Sequence, residues 1–324
     1  MRRLLALVCL SIPFAAQAAR VDEQRPLMGT VVQVIAEGDA EAGLHVAVEG
    51  AYGEMSRLSD MMSHYDPRSV VSAINDAAGL HPVAVPPEMM RVLRMARRMS
   101  ERSHGAFDVT VGGLRGWRFR PDDPRMPSAA EVAAELQRVD YRKLRLDARA
   151  GTAYLERRGM RIDLGGIAKL YIIEAGARWL ERAGVARAMV NGGGDVAAVG
   201  RDAAQPWRVG VRDPRAPQQL LGVLPIVRGI VASSGDYERY FERGGRRYQH
   251  ILDPRSGTPA QGPRGVTLVS ESLEALDGLG VAIMVLGKQE GVRLVEATPG
   301  LDALIVDRDG SLWMTPGIRQ RLAR

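Results

Sequence analysis

Asp163-Leu164-Gly165-Gly166-Ile167-Ala168-Lys169 reads as a strand end that passes through two glycines into a helix, which the apolar spacing predicts over residues 167–183. Upstream of it, a β-branched run predicts a strand over 30–36, and apolar residues at helical spacing predict a helix over 40–62. Residues 86–103 read as a second helix, with Pro86 at its start and basic residues towards its end. A third is predicted over 128–139, opened by Pro127 and by Ser128 and Glu131, a capping pair in which each side chain satisfies an orphan backbone donor. Downstream, short strands take over at 144–146, 154–156, 188–190, 207–211 and 223–227. Gly244-Gly245, between Tyr240-Phe241 and Tyr248, marks a β-hairpin. Residues 272–286 read as one buried helix, and Asp309-Gly310 turns a last hairpin. Helices and strands mix without regular βαβ alternation, so the fold class is α+β. Residues 121–127 form the most linker-like stretch, but they are short and flanked by patterned segments, which makes them a surface loop within one domain.

The 324-residue chain opens with Met1-Arg2-Arg3, an apolar stretch over 4–16 and Ala16-Gln17-Ala18, the pattern of a cleavable secretory signal. Cleavage after Ala18 leaves residues 19–324 as a single domain, exported to the periplasm. The stretch is too short to span a bilayer, which takes roughly 20 residues, and stable membrane insertion is not expected. Cys9 is the one cysteine and lies inside the signal, so the mature chain relies on packing and has no thiol chemistry. The formal charge of +6 falls by two with Arg2 and Arg3, the other arginines are scattered among acids, and aromatics are few. That pattern speaks against a nucleic-acid partner.

Four constellations carry chemistry. In the opening segment, backbone N–H groups at a helix start and the helix dipole favour a phosphate, and Lys169 adds a mobile positive charge one turn in. The same residues also make an ordinary tight turn with an exposed lysine. The spacing is neither a P-loop nor GxGxxG. Asn191-Gly192-Gly193-Gly194-Asp195 either lets backbone approach a ligand or turns a hairpin, the plainer reading. Ser233-Ser234-Gly235-Asp236-Tyr237 precedes Tyr248-Gln249-His250-Ile251-Leu252-Asp253-Pro254-Arg255-Ser256-Gly257. There, His250 at a strand end, beside a carboxylate and a Pro-bounded turn, is a candidate base for a hydroxyl near neutral pH or a structural histidine, and Asp236 is the second catalytic candidate. Asp277, in so apolar a predicted helix, is costly to bury unless paired or bound to a metal.

These segments, in this order, resemble the ApbE family, the FAD:protein FMN transferases. Met28-Gly29-Thr30, Ser63-His64-Tyr65-Asp66 with Ser69 and Asn75, and Gly105-Ala106-Phe107-Asp108-Val109-Thr110 with Trp117 and Phe119 extend the resemblance over nearly the whole mature chain. It implies a two-lobed α+β protein with a ligand cleft between the lobes. It also implies FAD and Mg²⁺ as ligands, and transfer of FMN to a Thr or Ser hydroxyl of a membrane-associated redox protein with release of AMP. By motif, Met28, Tyr65, Ala106, Phe107, Asp108, Asp163, Lys169 and Ile251 would contact FAD. Gly166 and Asp277 would hold the metal, and His250 would act as base. Three positions depart from the family pattern. Val281 stands where a threonine normally supplies a further metal oxygen, Leu170 replaces a glycine, and Glu174 replaces an aspartate. A flavin-binding relative without transfer activity is the alternative that these departures raise.

Overall fold

The computed structural model describes residues 18–323, so the expected signal, residues 1–17 with Cys9, lies outside the described residues. An eight-stranded antiparallel sheet organises the chain, and its strands lie side by side in sequence order. They are β1 Ala19–Leu27, β2 Thr30–Gly38, β3 Arg187–Gly192, β4 Asp195–Val199, β5 Gly229–Gly235, β6 Gly265–Ser270, β7 Asp302–Val306 and β8 Leu312–Met314. Apart from a short C-terminal helix, the other elements are inserted between neighbouring strands, which is why helices and strands mix without alternation and why the class is α+β.

Period-two burial sends alternate residues to two cores. Val32, Val34 and Ala36 of β2 and Ala303 and Ile305 of β7 join the larger core under the helices. Ile35, Leu304 and Val306 face the smaller one. The smaller core is closed by the hairpin Trp207–Arg212 with Leu220–Ile226 and by the helix Pro316–Arg321, which contributes Ile318. α1 Glu41–Met62, α2 Pro87–Arg102 and α3 Ala168–Arg182 all bury residues in the larger core, with α1 and α3 directly against the sheet. The buried stripe of α1, Leu44, Ala47, Val48, Ala51, Met55, Leu58 and Met62, repeats at helical spacing. The helix packs against α3, where a Cβ at Gly176 would stand 2.6 Å from the Met55 sulfur.

The capping box at Ser128 and Glu131 forms as read, on the helix Ala129–Leu136. The long helix expected over 272–286 does not. It is two pieces, Leu273–Leu276 and α4 Leu279–Leu286, separated at Asp277 and Gly278. Gly278 takes φ 69°, the left-handed region, and a Cβ there would stand 3.0 Å from the Phe107 ring. Asp277 therefore sits at a break with extended backbone, and Val281 is not one turn further along a shared helix.

Candidate active site

The turns at one end of the sheet supply much of the site. Met28 and Gly29 form the two-residue turn between β1 and β2 with φ 54° and 70°, and Gly193 and Gly194 do the same between β3 and β4 with φ 63° and 99°. Two successive positive φ values suit the twist of a tight hairpin, so the glycine run is a hairpin turn. Met28 is half-buried, and its Cε reaches 3.9 Å from a Cβ built on Gly192.

Asp195 ends that turn. Its side chain is 6% exposed, one oxygen accepts the Ser233 N–H at 2.8 Å, and the other meets Lys169 Nζ at 2.6 Å. Lys169 is thus not the free, mobile charge expected of it, because it ties the first turn of α3 to the sheet. The helix start differs from expectation as well. Ile167 and Ala168 both donate their N–H groups to the Leu164 carbonyl, at 2.9 and 2.8 Å, so those two amides do not face a ligand.

Asp163 receives the Gly165 N–H at 2.7 Å and lies 3.3 Å from His64 Nδ1. Burial pushes its carboxyl up, but hydrogen bonding from His64, the His64 charge, the Gly165 amide and the Arg239 guanidinium together hold it below the ordinary range. The Tyr65 ring rests on His64 with centroids 3.8 Å apart and is 80% exposed, an open platform beside Asp163.

Phe107 couples Gly166 to the Asp277 break. A Cβ on Gly166 would stand 3.2 Å from the Phe107 ring and 3.4 Å from Val281 Cγ2, and the same ring edge crowds Gly278. Ala106, Phe107 and Asp108 are all buried. Asp108 accepts from Thr110 N and Oγ1, each at 2.7 Å, and from Tyr141 N at 2.8 Å. Burial pushes it up to about 6. It secures its loop and presents no free carboxylate. Leu170 is buried in the larger core, and Glu174 pairs with Arg178.

Asp277 is 2% exposed, and neither carboxylate oxygen has a hydrogen-bond partner among the described residues. Burial raises the carboxyl well above its ordinary value, and the charges of Glu274 and Glu174 push the same way. A buried carboxylate with both oxygens free is an unsatisfied site that a cation would satisfy. Among the described residues no group of three or more His, Cys, Asp or Glu side chains could hold a metal ion, so the remaining oxygens would be carbonyls, such as that of Gly166, and water.

His250 follows the strand Arg246–Gln249, and its N–H and Nδ1 both meet the Arg239 carbonyl, at 3.0 and 3.2 Å. A carbonyl only accepts, so Nδ1 carries the proton and Nε2 keeps a lone pair. Burial, with the charges of Arg239 and Lys169, pushes His250 down to about 4, against the opposing pull of Asp163 and of the Arg239 carbonyl. Asp236 does not pair with His250. It meets Arg247 at 3.3 Å, and burial raises its carboxyl despite Arg247 and Arg264. Ile251 is buried and its carbonyl accepts the Ala260 N–H at 2.8 Å.

His64, Asp195 and Arg239 complete the site without having been assigned a role in it. His64 stands inside a quoted motif and Asp195 ends one, but no sequence signal marks Arg239. A surface groove of about 510 Å³, lined by Arg91, Arg94, Arg98 and Glu274, contains none of the site residues expected from sequence.

The ApbE family model matches residues 28–305. An FAD:protein FMN transferase of Klebsiella pneumoniae is 33% identical over 274 residues, 83% of this chain and 84% of the relative. One of Treponema pallidum is 31% identical, covering 99% of this chain and 95% of the relative. The solved structure of the ApbE protein of Thermotoga maritima is similar with a TM-score of 0.85 at 31% identity, over 94% of this chain and 100% of that one.

Proposed function

The chain belongs to the ApbE family, and from that premise we propose that it is an FAD:protein FMN transferase acting on a Thr or Ser hydroxyl of an exported or membrane-associated redox protein. The observation that carries the reading is His250, held neutral with its Nδ1 committed to the Arg239 carbonyl and its Nε2 lone pair free. The acceptor hydroxyl gives its proton to Nε2 while its oxygen attacks the riboflavin-side phosphorus of FAD. A P–O bond of the pyrophosphate bridge breaks, the new phosphodiester joins FMN to the acceptor, and AMP leaves. Tyr65 offers an open face to the isoalloxazine ring, and His64 and Asp163 fix that face. Lys169, anchored by Asp195, holds its ammonium in place beside the substrate phosphates, so little reorganisation is needed as charge develops.

Asp277, with its unpartnered oxygens, and the Gly166 carbonyl would hold Mg²⁺. When bound, the ion neutralises charge on the pyrophosphate. The periplasm as location rests on the signal pattern, and β1 begins at Ala19, the residue after the expected cleavage point. No helix among the described residues is long and apolar enough to cross a membrane. One observation favours the alternative of flavin binding without transfer: Val281 puts a methyl group, not an oxygen, beside Gly166.

The test is to incubate the mature protein with FAD, Mg²⁺ and candidate acceptor domains and to look by mass spectrometry for a single FMN on Thr or Ser. Tight FAD binding with no adduct on any acceptor would replace the transferase reading with the flavin-binding one.

A further inference from the structure

His250 stands at the base of a hairpin, Tyr240–Arg243 with Arg246–Gln249, whose tip is unusual. Arg243 lies directly opposite Arg246, both are exposed, and neither has a carboxylate partner among the described residues. Like charges directly opposite each other on a hairpin repel. Arg247, between them and His250, is by contrast fully engaged, with Asp236 and Glu242 at 3.3 and 3.4 Å and with the Tyr240 ring. Arg239, whose carbonyl fixes His250, also presents an exposed guanidinium that makes no salt bridge among the described residues and acts on Asp163 through its charge alone.

The tip is not loose. Phe241 and Tyr248 stack 5.1 Å apart and continue into Phe119 and Trp117 of the neighbouring hairpin. The Trp117 indole N–H is bonded to the Gly257 carbonyl at 2.9 Å. Arg246 lies over the Tyr248 ring of this four-ring platform, 5.2 Å from its centroid, with Arg243 directly opposite, and an anionic partner would remove the repulsion between the two guanidinium groups. From Arg246 to His250 the chain runs four residues, roughly 13 Å at about 3.3 Å per residue.

We propose that Arg239, Arg243 and Arg246 form a docking track for an acidic segment of the acceptor protein. An extended acceptor chain laid along the hairpin, with its Thr or Ser hydroxyl at His250, would place an Asp or Glu about four residues away against the arginine pair. The inference rests on the transferase reading for the identity of the partner, while the surface itself can be tested without catalysis.

The probe is a fluorescein-labelled twelve-residue peptide with one central Thr and an Asp or Glu about four residues to each side. Its binding to the mature protein is followed by anisotropy without FAD, beside a peptide with Lys at the acidic positions. The acidic peptide should bind, weaken steeply with salt, and lose about tenfold in affinity in the double variant Arg243→Ser/Arg246→Ser. The Lys peptide should not bind. Arg120→Ser, which removes a positive charge already paired with Asp122, should leave binding unchanged. The double variant should keep the parent's cooperative melting transition, because the repulsion it relieves offsets the Arg246–Tyr248 contact it loses, and that separates loss of docking from loss of folding. Equal affinity of the acidic peptide for parent and double variant, or equal binding of the Lys peptide, overturns the proposal. With a working acceptor, the double variant should raise the acceptor KM and leave kcat and FAD affinity alone. Peptide binding without transfer by the parent protein would count against the transferase reading only, and transfer with an unchanged acceptor KM against the docking track only.

Discussion

Asp277→Asn changes one charge and almost no volume at a position that is 2% exposed, with both oxygens unpartnered. In the metal-free protein the native carboxyl holds its proton to a higher pH than the unfolded one, which titrates near about 3.9. Between that value and the raised native one, the native state binds a proton that the unfolded chain lacks. Stability is then fully present below the unfolded value and is lost as pH rises, by up to about 1.4 kcal/mol per pH unit for a single group. The amide of the variant does not titrate, and buried without a partner it costs about as much as the neutral acid. The two proteins should therefore match near pH 4 and diverge above it, the variant becoming the more stable. Urea denaturation in chelator between about pH 4 and pH 8 reads the difference directly, since titrations elsewhere in the chain cancel. Added Mg²⁺ should then stabilise the parent protein alone, by about 1.4 kcal/mol at ten times its Kd. Parallel pH profiles, or equal stabilisation of both proteins by Mg²⁺, would refute the assignment of Asp277 as a buried, unpaired metal carboxylate.

His250→Gln should lower FMN transfer by at least about 10²-fold while FAD affinity, read by flavin fluorescence, is kept; retained transfer would remove His250 as the base. With His250 pushed down to about 4, the acid limb of kcat/KM should lie below the ordinary histidine value of about 6.5, and a limb at that value would contradict the burial. Because the native ring binds fewer protons than the unfolded one in that interval, the parent should also lose stability relative to His250→Gln as pH falls through it. Lys169→Met leaves the buried Asp195 carboxylate without its cation and should cost about 2 kcal/mol in urea titrations, discounted for the partial exposure of the lysine. Adding Asp195→Asn should recover most of that, and simple additivity of the two losses would mean that the pair is not coupled. Val281→Thr should tighten Mg²⁺ by about tenfold in calorimetry and cost about 1 kcal/mol in chelator, where the hydroxyl is unpartnered. Unchanged Mg²⁺ affinity would show that the valine is no handicap.

The residues that declared themselves in the sequence are those whose local chemistry suffices. Ser128 and Glu131 cap a helix because each satisfies the other's backbone donor, and Gly193-Gly194 and Gly244-Gly245 turn hairpins because two positive φ values in succession suit glycine. The order of the short motifs was enough to point to the family. The break at Asp277 was not legible, because Leu279–Leu286 is buried on nearly every side and an apolar run of that kind has no periodicity to interrupt. Gly278 alone hinted at it.

What the sequence by itself determined was an α+β chain with its turns and caps in place and with glycines, a lysine, a histidine and an aspartate in family order. What only the tertiary structure decided was which partner each charged group found. Lys169 was drawn to Asp195, Asp236 to Arg247 and not to His250, His64 to Asp163, and His250 to the Arg239 carbonyl, while Asp277 was left with none. Such pairings join residues on different elements of the fold, and a charged side chain stays ambiguous until burial removes water as its alternative partner.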